Sequence, residues 1–378
     1  MRFRAGHSGG AQWRAVVDGL IAQLGPARFN QDDAQSALGM IYFTDHLADD
    51  AQTMLDALRA ATGVRHWTGS VGVGITGIDT VGHAREYLDE PGAAVMIADW
   101  PRGEFSVFSG KARAPAAGAL SPSGAVAGHF AIVHGDPATP DMPGLIEDMA
   151  AKLASGFLVG GLSSSRQDST QVADEILNGG LSGVVLSSAI GLRTRLTQGC
   201  APLTPRYRVT RGERNVIAKL DDRPALDVFL ENAGPELARD LQRAAHHILV
   251  GLPVAGSDTG DYLVRNVVGI DPRTRVIAIG AEVEQGMTIH FCRRDGPAAR
   301  GDLELMLAGM RAELGETARG GVYFSCLGRG EHMFGERSAE AGIIAQYFPG
   351  VPIVGFAANG EISHDRLYGY TGVLTLFT

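Results

Sequence analysis

One order of elements comes round more than once in this chain. HFAIVHGD runs into a helical stretch at 142–154, then FLVGGLSSS, then LSGVVLSSA. GVYFSCLGRG runs into a helical stretch at 338–348, then PIVGFAANGE, then YTGVLTLFT. In both, a β-rich run ends at glycine and a helix returns the chain. A second β-rich run then enters a turn of small residues, and Gly183 or Gly372 opens a last strand. GMIYF, a helix at 50–60 and WTGSVGVGIT make a weaker third copy. NVIAKL, a long helix and LVGLPV make a candidate fourth.

The helices are read from apolar spacing. Val16, Val17, Leu20 and Leu24 share a face that Gly25-Pro26 ends, and Leu145, Ile146 and Met149 follow the capping candidate Asp141. Pro235 is expected to open a helix with Leu237, Leu241 and Ile248 inward, and Asp302 to precede another. Strand-heavy runs between helices predict an α/β chain (mixed α+β) of two similar halves. Each half has mixed β-sheets covered by helices and arises by internal duplication. The division is expected near residues 200–212, where QGCAPLTPRYRVTRGE is rich in breakers and polar residues.

The 378 residues suit two domains, and an apolar fraction of 45% supplies sizeable cores. The net charge of −9 leaves no excess of Lys and Arg to neutralise phosphate, which argues against nucleic acid or an anionic membrane as partner. The three cysteines, Cys200, Cys292 and Cys326, are too few and too scattered for a disulfide framework. No apolar run reaches transmembrane length, and MRFRAGHSGG lacks a signal-peptide core. These features describe a soluble protein of a reducing cytoplasm.

GVGITG, Gly72 to Gly77, matches G-x-G-x-x-G, but no long helix follows it. The next acidic residues lie in HAREYLDEPG, which reads as a short turn of helix. There is no Walker A sequence, HExxH or Cys/His cluster, so no metal site is expected. No cofactor is expected either, although one histidine suffices to hold a haem. The two C-terminal turns carry the chemistry. Cys326 ends a strand beside a glycine turn, where a thiol can be reactive. Arg329 lies between Gly328 and Gly330, where its planar fork can meet a carboxylate. In AANGE, Asn359 and Gly360 shape a turn that presents Glu361 to an ammonium group. Ser163 and Ser164 are the neutral hydrogen-bonding counterparts in the first half.

GVYFSCLGRG followed by PIVGFAANGEI resembles the C-terminal half of the FIST domain, as does YLVRNVVGIDPRTRVIAIGAEVEQGMTIHFCRRD. FLVGGLSSSR and LSGVVLSS resemble its N-terminal half. The resemblance covers roughly residues 30–378 and implies a stand-alone, bacterial-type member. It implies a lead-in at 1–30, a FIST N-terminal domain at 31–205 and a FIST C-terminal domain at 206–378. It further implies a non-enzymatic sensory module of intracellular signal transduction that binds a small ligand, an amino acid or related metabolite, and signals to a protein partner in trans. The residues that match are Cys326, Arg329 and Gly330, then Phe356, Asn359 and Glu361, then Arg265 and Asn266. The alternatives are a cysteine-dependent enzyme using Cys326 and a haem-based gas sensor. WTGSVGVGIT has no acid immediately after its turn, so no second acidic group is expected from the first half.

Overall fold

A computed structural model describes residues 2–25, 37–101, 103–110, 128–254 and 262–378. The chain packs as two compact units. One comprises Met1–Thr197 with Asp302–Thr378, and the other Gln198–Gly301.

The larger unit holds three copies of one motif. Ala37–Thr44 pairs in parallel with His66–Gly72 across the helix Ala51–Thr62, and antiparallel with Gly92–Asp99. Phe130–Gly135 pairs in parallel with Phe157–Leu162 across Met142–Ala151, and antiparallel with Leu181–Leu186. Gly320–Cys326 pairs in parallel with Ile353–Ala358 across Ala339–Tyr347, and antiparallel with Thr371–Phe377. A leading strand flanks each set: Arg2–Gly9, Phe105–Gly110 and Leu192–Gln198. The weaker third copy seen in the sequence is thus built like the other two.

Each copy also sends out a hairpin that completes another copy's sheet. Gly74–Ile78 and Ala84–Leu88 add to the third copy alongside Ile353–Ala358. Glu361–His364 and Arg366–Tyr368 add to the second alongside Phe157–Leu162. Gln171–Ala173 and Ile176–Leu177 add to the first alongside His66–Gly72. The exchange is cyclic, and it leaves three six-stranded sheets. HAREYLDEPG accordingly contains a strand, Ala84–Leu88, where a helical turn was expected. An isolated two-stranded hairpin is marginal in water, and docking on a sheet edge overrides the local tendency.

Both faces of the sheets are covered, which explains the uninterrupted apolar runs. A shared core gathers Met40, Tyr42, Met96, Ile132, Phe324, Val354, Phe356 and Phe377 from the three copies. Outer faces pack on helices, as Ile41 and Val95 do with Leu20 and Leu55. At one register position, Tyr42, His134 and Phe324 meet, with ring centroids 5.5, 5.9 and 6.3 Å apart. Tyr42 Oη lies 3.0 Å from His134 Nε2. Burial alone drives the His134 imidazole down to about 3, so the core holds it neutral.

The smaller unit is a single antiparallel sheet running Tyr262–Arg265, Ile248–Pro253, Thr288–Arg294, Cys200–Glu213, Val216–Leu220, Val276–Ile279 and Val267–Asp271. It has its own core around Val209, Phe229, Val250, Ile277 and Phe291. NVIAKL and LVGLPV belong to this sheet but do not pair with each other, so they are not a fourth copy. The element Ala225–Leu237 breaks at Gly234, whose φ of 80° is not helical, and Pro235 opens its second helical segment as expected, with Leu237 and Leu241 against the core. Ile248 begins a strand. The helix expected after Asp302 begins at Gly296.

One glycine recurs in all three copies. Gly69, Gly160 and Gly355 face Ile41, Val133 and Tyr323 across the parallel pairs. A Cβ on any of them would lie 1.8, 1.8 or 1.7 Å from that partner's carbonyl oxygen. The obstacle is backbone, which cannot swing away. Gly355→Ala should therefore destabilise by roughly 1–3 kcal/mol or more, as overpacking does. Gly301→Ala, at an open position, should be near neutral. Urea midpoints of the two variants check this.

Candidate functional site

The third copy's strand Gly320–Cys326 runs directly into LGRG. Arg329 N donates to Cys326 O at 2.8 Å, and Leu327 N donates to Ala358 O at 2.9 Å, which ties the turn to the end of the neighbouring strand. Gly330 holds φ at +62°, a value that side chains beyond glycine rarely adopt. This tight turn carries Arg329 inward rather than out to solvent, and its exposure is 0%.

Glu340, in the first turn of Ala339–Tyr347, receives it. Arg329 Nε donates to Glu340 Oε1 at 2.8 Å, and Nη2 lies 2.8 Å from the same oxygen. Tyr323 Oη donates to Oε1 at 2.6 Å and Ser325 Oγ to Oε2 at 2.7 Å. Burial works against the charge on Arg329, but Glu340, Tyr323 and Cys326 outweigh it and the guanidinium stays ionised. Nη1 has no hydrogen-bond partner and Nη2 has no aligned one. The Arg329 fork is thus half engaged by an acid of its own chain.

Glu361 is fully buried as well. Its Oε2 accepts from Thr371 N at 3.0 Å and from Thr371 Oγ1 at 2.7 Å, while Oε1 has no partner. Burial pushes its carboxyl up to about 7, against the pull of Thr371, the Cys326 thiol and the Arg329 charge. The carboxylate therefore faces Cys326 and lies within the field of Arg329. Burial, followed by Glu361, drives the Cys326 thiol well above its usual range. A reactive thiolate needs the opposite shift.

Beside this group is a cavity of about 30 Å³, lined by Cys326, Ser325, Gly330, Glu340, Glu86, Leu88 and neighbouring residues. Glu86 comes from the first copy's exchanged hairpin. Its Oε1 accepts from Ala341 N at 2.8 Å, and its backbone N donates to Ser338 Oγ at 2.9 Å. Burial, then the Glu340 charge, raise its carboxyl to about 7. The first part of the chain does supply an acid, on the hairpin strand and not directly after the glycine turn.

The other expected residues have different places. Ser164 Oγ accepts from Val73 N at 2.9 Å and donates to Ala357 O, so it braces a wall of the cavity. Ser163 Oγ donates to Val71 O at 2.9 Å. Phe356 points into the shared core and stacks on Tyr42 at 5.5 Å. Asn359 is exposed. Arg265 and Asn266 belong to the smaller unit. Tyr323, Ser325, Glu340, Thr371 and Glu86 were missed. A signal for three of them exists: Tyr323 and Ser325 alternate onto one strand face, and Glu340 interrupts an apolar helix that covers it.

Comparing the copies explains why the third holds the candidate site. Six residues beyond the shared glycine stand Ile75, Arg166 and Glu361. Arg166 is closed on Asp45 through Nε and Nη2, both at 2.8 Å. Of the three, only Glu361 is a buried ionisable side chain that keeps an open oxygen.

Two outcomes follow. Glu361 ionises near 7 in the folded chain and near 4.5 unfolded, so the folded state binds more protons between these values. Its contribution is full below about pH 4.5 and is lost as pH rises through about 7. Glu361→Gln should remove that loss, leaving the variant more stable than wild type at pH 8 and nearly equal at pH 5. The gap is at most a few kcal/mol, since tenfold in protonation is worth about 1.4 kcal/mol. Thermal melts from pH 5 to 8 measure it. Second, iodoacetamide should alkylate Cys326 in the folded protein at pH 7.5 at least about tenfold slower than free cysteine, because the thiolate is scarce. Mass spectrometry of timed samples reads the rate, and a rate equal to free cysteine would refute a buried, protonated thiol.

Among the described residues, no helix is long and apolar enough to cross a membrane. The FIST N domain family matches residues 37–223 and the FIST C domain family matches residues 225–364. Uncharacterized protein Rv0628c of Mycobacterium tuberculosis is 33% identical over 359 residues, covering 90% of this chain and 91% of that protein. Uncharacterized protein Mb0898c of Mycobacterium bovis is 33% identical over 254 residues, covering 64% of this chain and 66% of that protein. The chain belongs to the FIST family, whose domains are described as small-ligand sensory domains of signal transduction.

Proposed function

We propose that this chain senses an amino acid or a related small zwitterion, held where the two C-terminal turns meet. The ligand's carboxylate bonds to the open edge of Arg329 and its ammonium group to Glu361. One observation carries the reading. Arg329 Nη1 and Glu361 Oε1 are buried, opposite in charge, and both without a hydrogen-bond partner. Buried polar atoms are nearly always paired, and an unpaired one costs about 1–3 kcal/mol, more when charged. A zwitterion answers both at once.

The cavity of about 30 Å³ takes only one or two water-sized groups, so a whole ligand needs the site to open. The exchanged hairpin supplies the moving part. Its strand Ala84–Leu88 is the free edge of the sheet, and Glu86 latches it to the start of Ala339–Tyr347. A ligand that enters as this latch opens and is held when it closes again converts binding into a change of shape, which is what a sensor requires.

The test is a thermal-shift screen of the full chain against single amino acids at millimolar concentration. At a hundredfold excess over Kd, binding stabilises by about 2.7 kcal/mol, enough for a Tm rise of a few degrees. Glu361→Gln should keep its fold and lose the rise. No rise with any amino acid, or an undiminished rise in the variant, would sink the reading.

A further inference from the structure

The charges around the cavity do not balance for a neutral zwitterion. Three carboxylates lie within the field of one guanidinium, Arg329: Glu340 in contact with it, and Glu86 and Glu361 farther off. Glu86 and Glu340 line the cavity, and Glu361 lies against Cys326, which lines it too. Other charges nearby are outward and already paired, Arg85 with Glu90 at 3.0 Å and Arg337 with Glu331 at 3.3 Å. Arg329 spends its Nε edge on Glu340. Among the described residues, that leaves Glu86 and Glu361 as acids with no cation in an ion pair with them.

We infer that the ligand carries a net positive charge: a primary amine with a second cationic group, as in a basic amino acid, whose side-chain ammonium occupies the cavity between Glu86 and Glu340. This rests on the zwitterion reading above and narrows it. Size agrees with charge, because an ammonium group is about as large as a water molecule and the cavity takes one or two such groups. The lining agrees as well. Leu88, Leu327 and Ala357 offer apolar wall for a methylene stem, while Ser325 offers a hydroxyl beside the acids. In the unliganded chain, the two cavity acids repel each other, and this with burial holds Glu86 near 7. A bound cation relieves that repulsion, whereas a ligand ending in a carboxylate worsens it.

Isothermal titration of the full chain at pH 8 compares lysine, leucine and glutamate. Lysine should bind at least about tenfold tighter than leucine, and glutamate weakest, as expected for one added charge contact in a partly buried site. Glu86→Gln keeps an oxygen that can accept from Ala341 N, so the hairpin stays latched. It should cut lysine affinity at least about tenfold more than leucine affinity. If leucine or glutamate equals lysine on the wild type, this inference is overturned while the zwitterion reading stands. If Glu86→Gln keeps the full preference for lysine, the placement of the ammonium at Glu86 is overturned. If nothing binds, both fall.

Discussion

The larger unit depends on an exchange: each of its three sheets is finished by a hairpin from another copy of the motif. Four strands come from one copy and two from its neighbour, in a closed cycle. No copy can complete its sheet alone. The exchange therefore enforces cooperativity, and it covers edges that would otherwise offer unpaired backbone groups. It also decides where chemistry can sit. Glu86 reaches Glu340 only because the first copy's hairpin lies on the third copy's sheet, 254 positions apart in sequence.

The Arg329–Glu340 pair is set among those packed strands, away from water. Removing two charges from water costs several kcal/mol each, and their attraction recovers this only when further hydrogen bonds complete the arrangement. Glu340 is completed by Tyr323 and Ser325, but Arg329 is not completed on its outer edge. An apolar cluster of similar volume would stabilise the unit at least as well. Stability is thus a poor explanation for the pair, whose guanidinium keeps an unsatisfied edge near a carboxylate with one open oxygen.

Part of this was legible in the sequence. The strand–helix–strand pattern gave the parallel pairs, because fully buried strands write continuous apolar runs such as AAVMIADW and HFAIVHG. Cys326, Arg329, Gly330 and Glu361 were identifiable from their turns, and they do converge. What escaped was long-range. The strand Ala84–Leu88 has Arg85 and Glu86 side by side with no apolar alternation, so it reads locally as a turn, and only docking on the third copy makes it a strand. Phe356 looked like part of the site because it sits in the same short stretch as Glu361. It lies one strand earlier, in Ile353–Ala358, where alternation turns its ring into the core with Tyr42 while its neighbour Ala357 lines the cavity. Arg265 and Asn266 stand in a convincing stretch of sequence, yet local sequence does not say that they fold in the other unit.

The three copies also show how one scaffold separates structural from functional positions. At the shared glycine all three obey the same steric demand, since backbone approach leaves no room for a side chain. Six residues later they diverge. Ile75 pairs within its hairpin, Arg166 is closed on Asp45, and Glu361 keeps an open oxygen. The position lies in a hairpin strand at Ile75 and Glu361 and in a bend at Arg166, and its side chain is apolar in one copy, ion-paired in another and incompletely satisfied in the third. Beyond the ladder to Ile353–Ala358, the Glu86 carboxyl, poised near 7 by burial and a neighbouring acid, fastens the hairpin to the start of Ala339–Tyr347 through backbone hydrogen bonds alone, a weak fastening by construction. A stronger one was available to the fold, as Arg166 on Asp45 demonstrates, and a hairpin held that firmly would have no second state for a ligand to select.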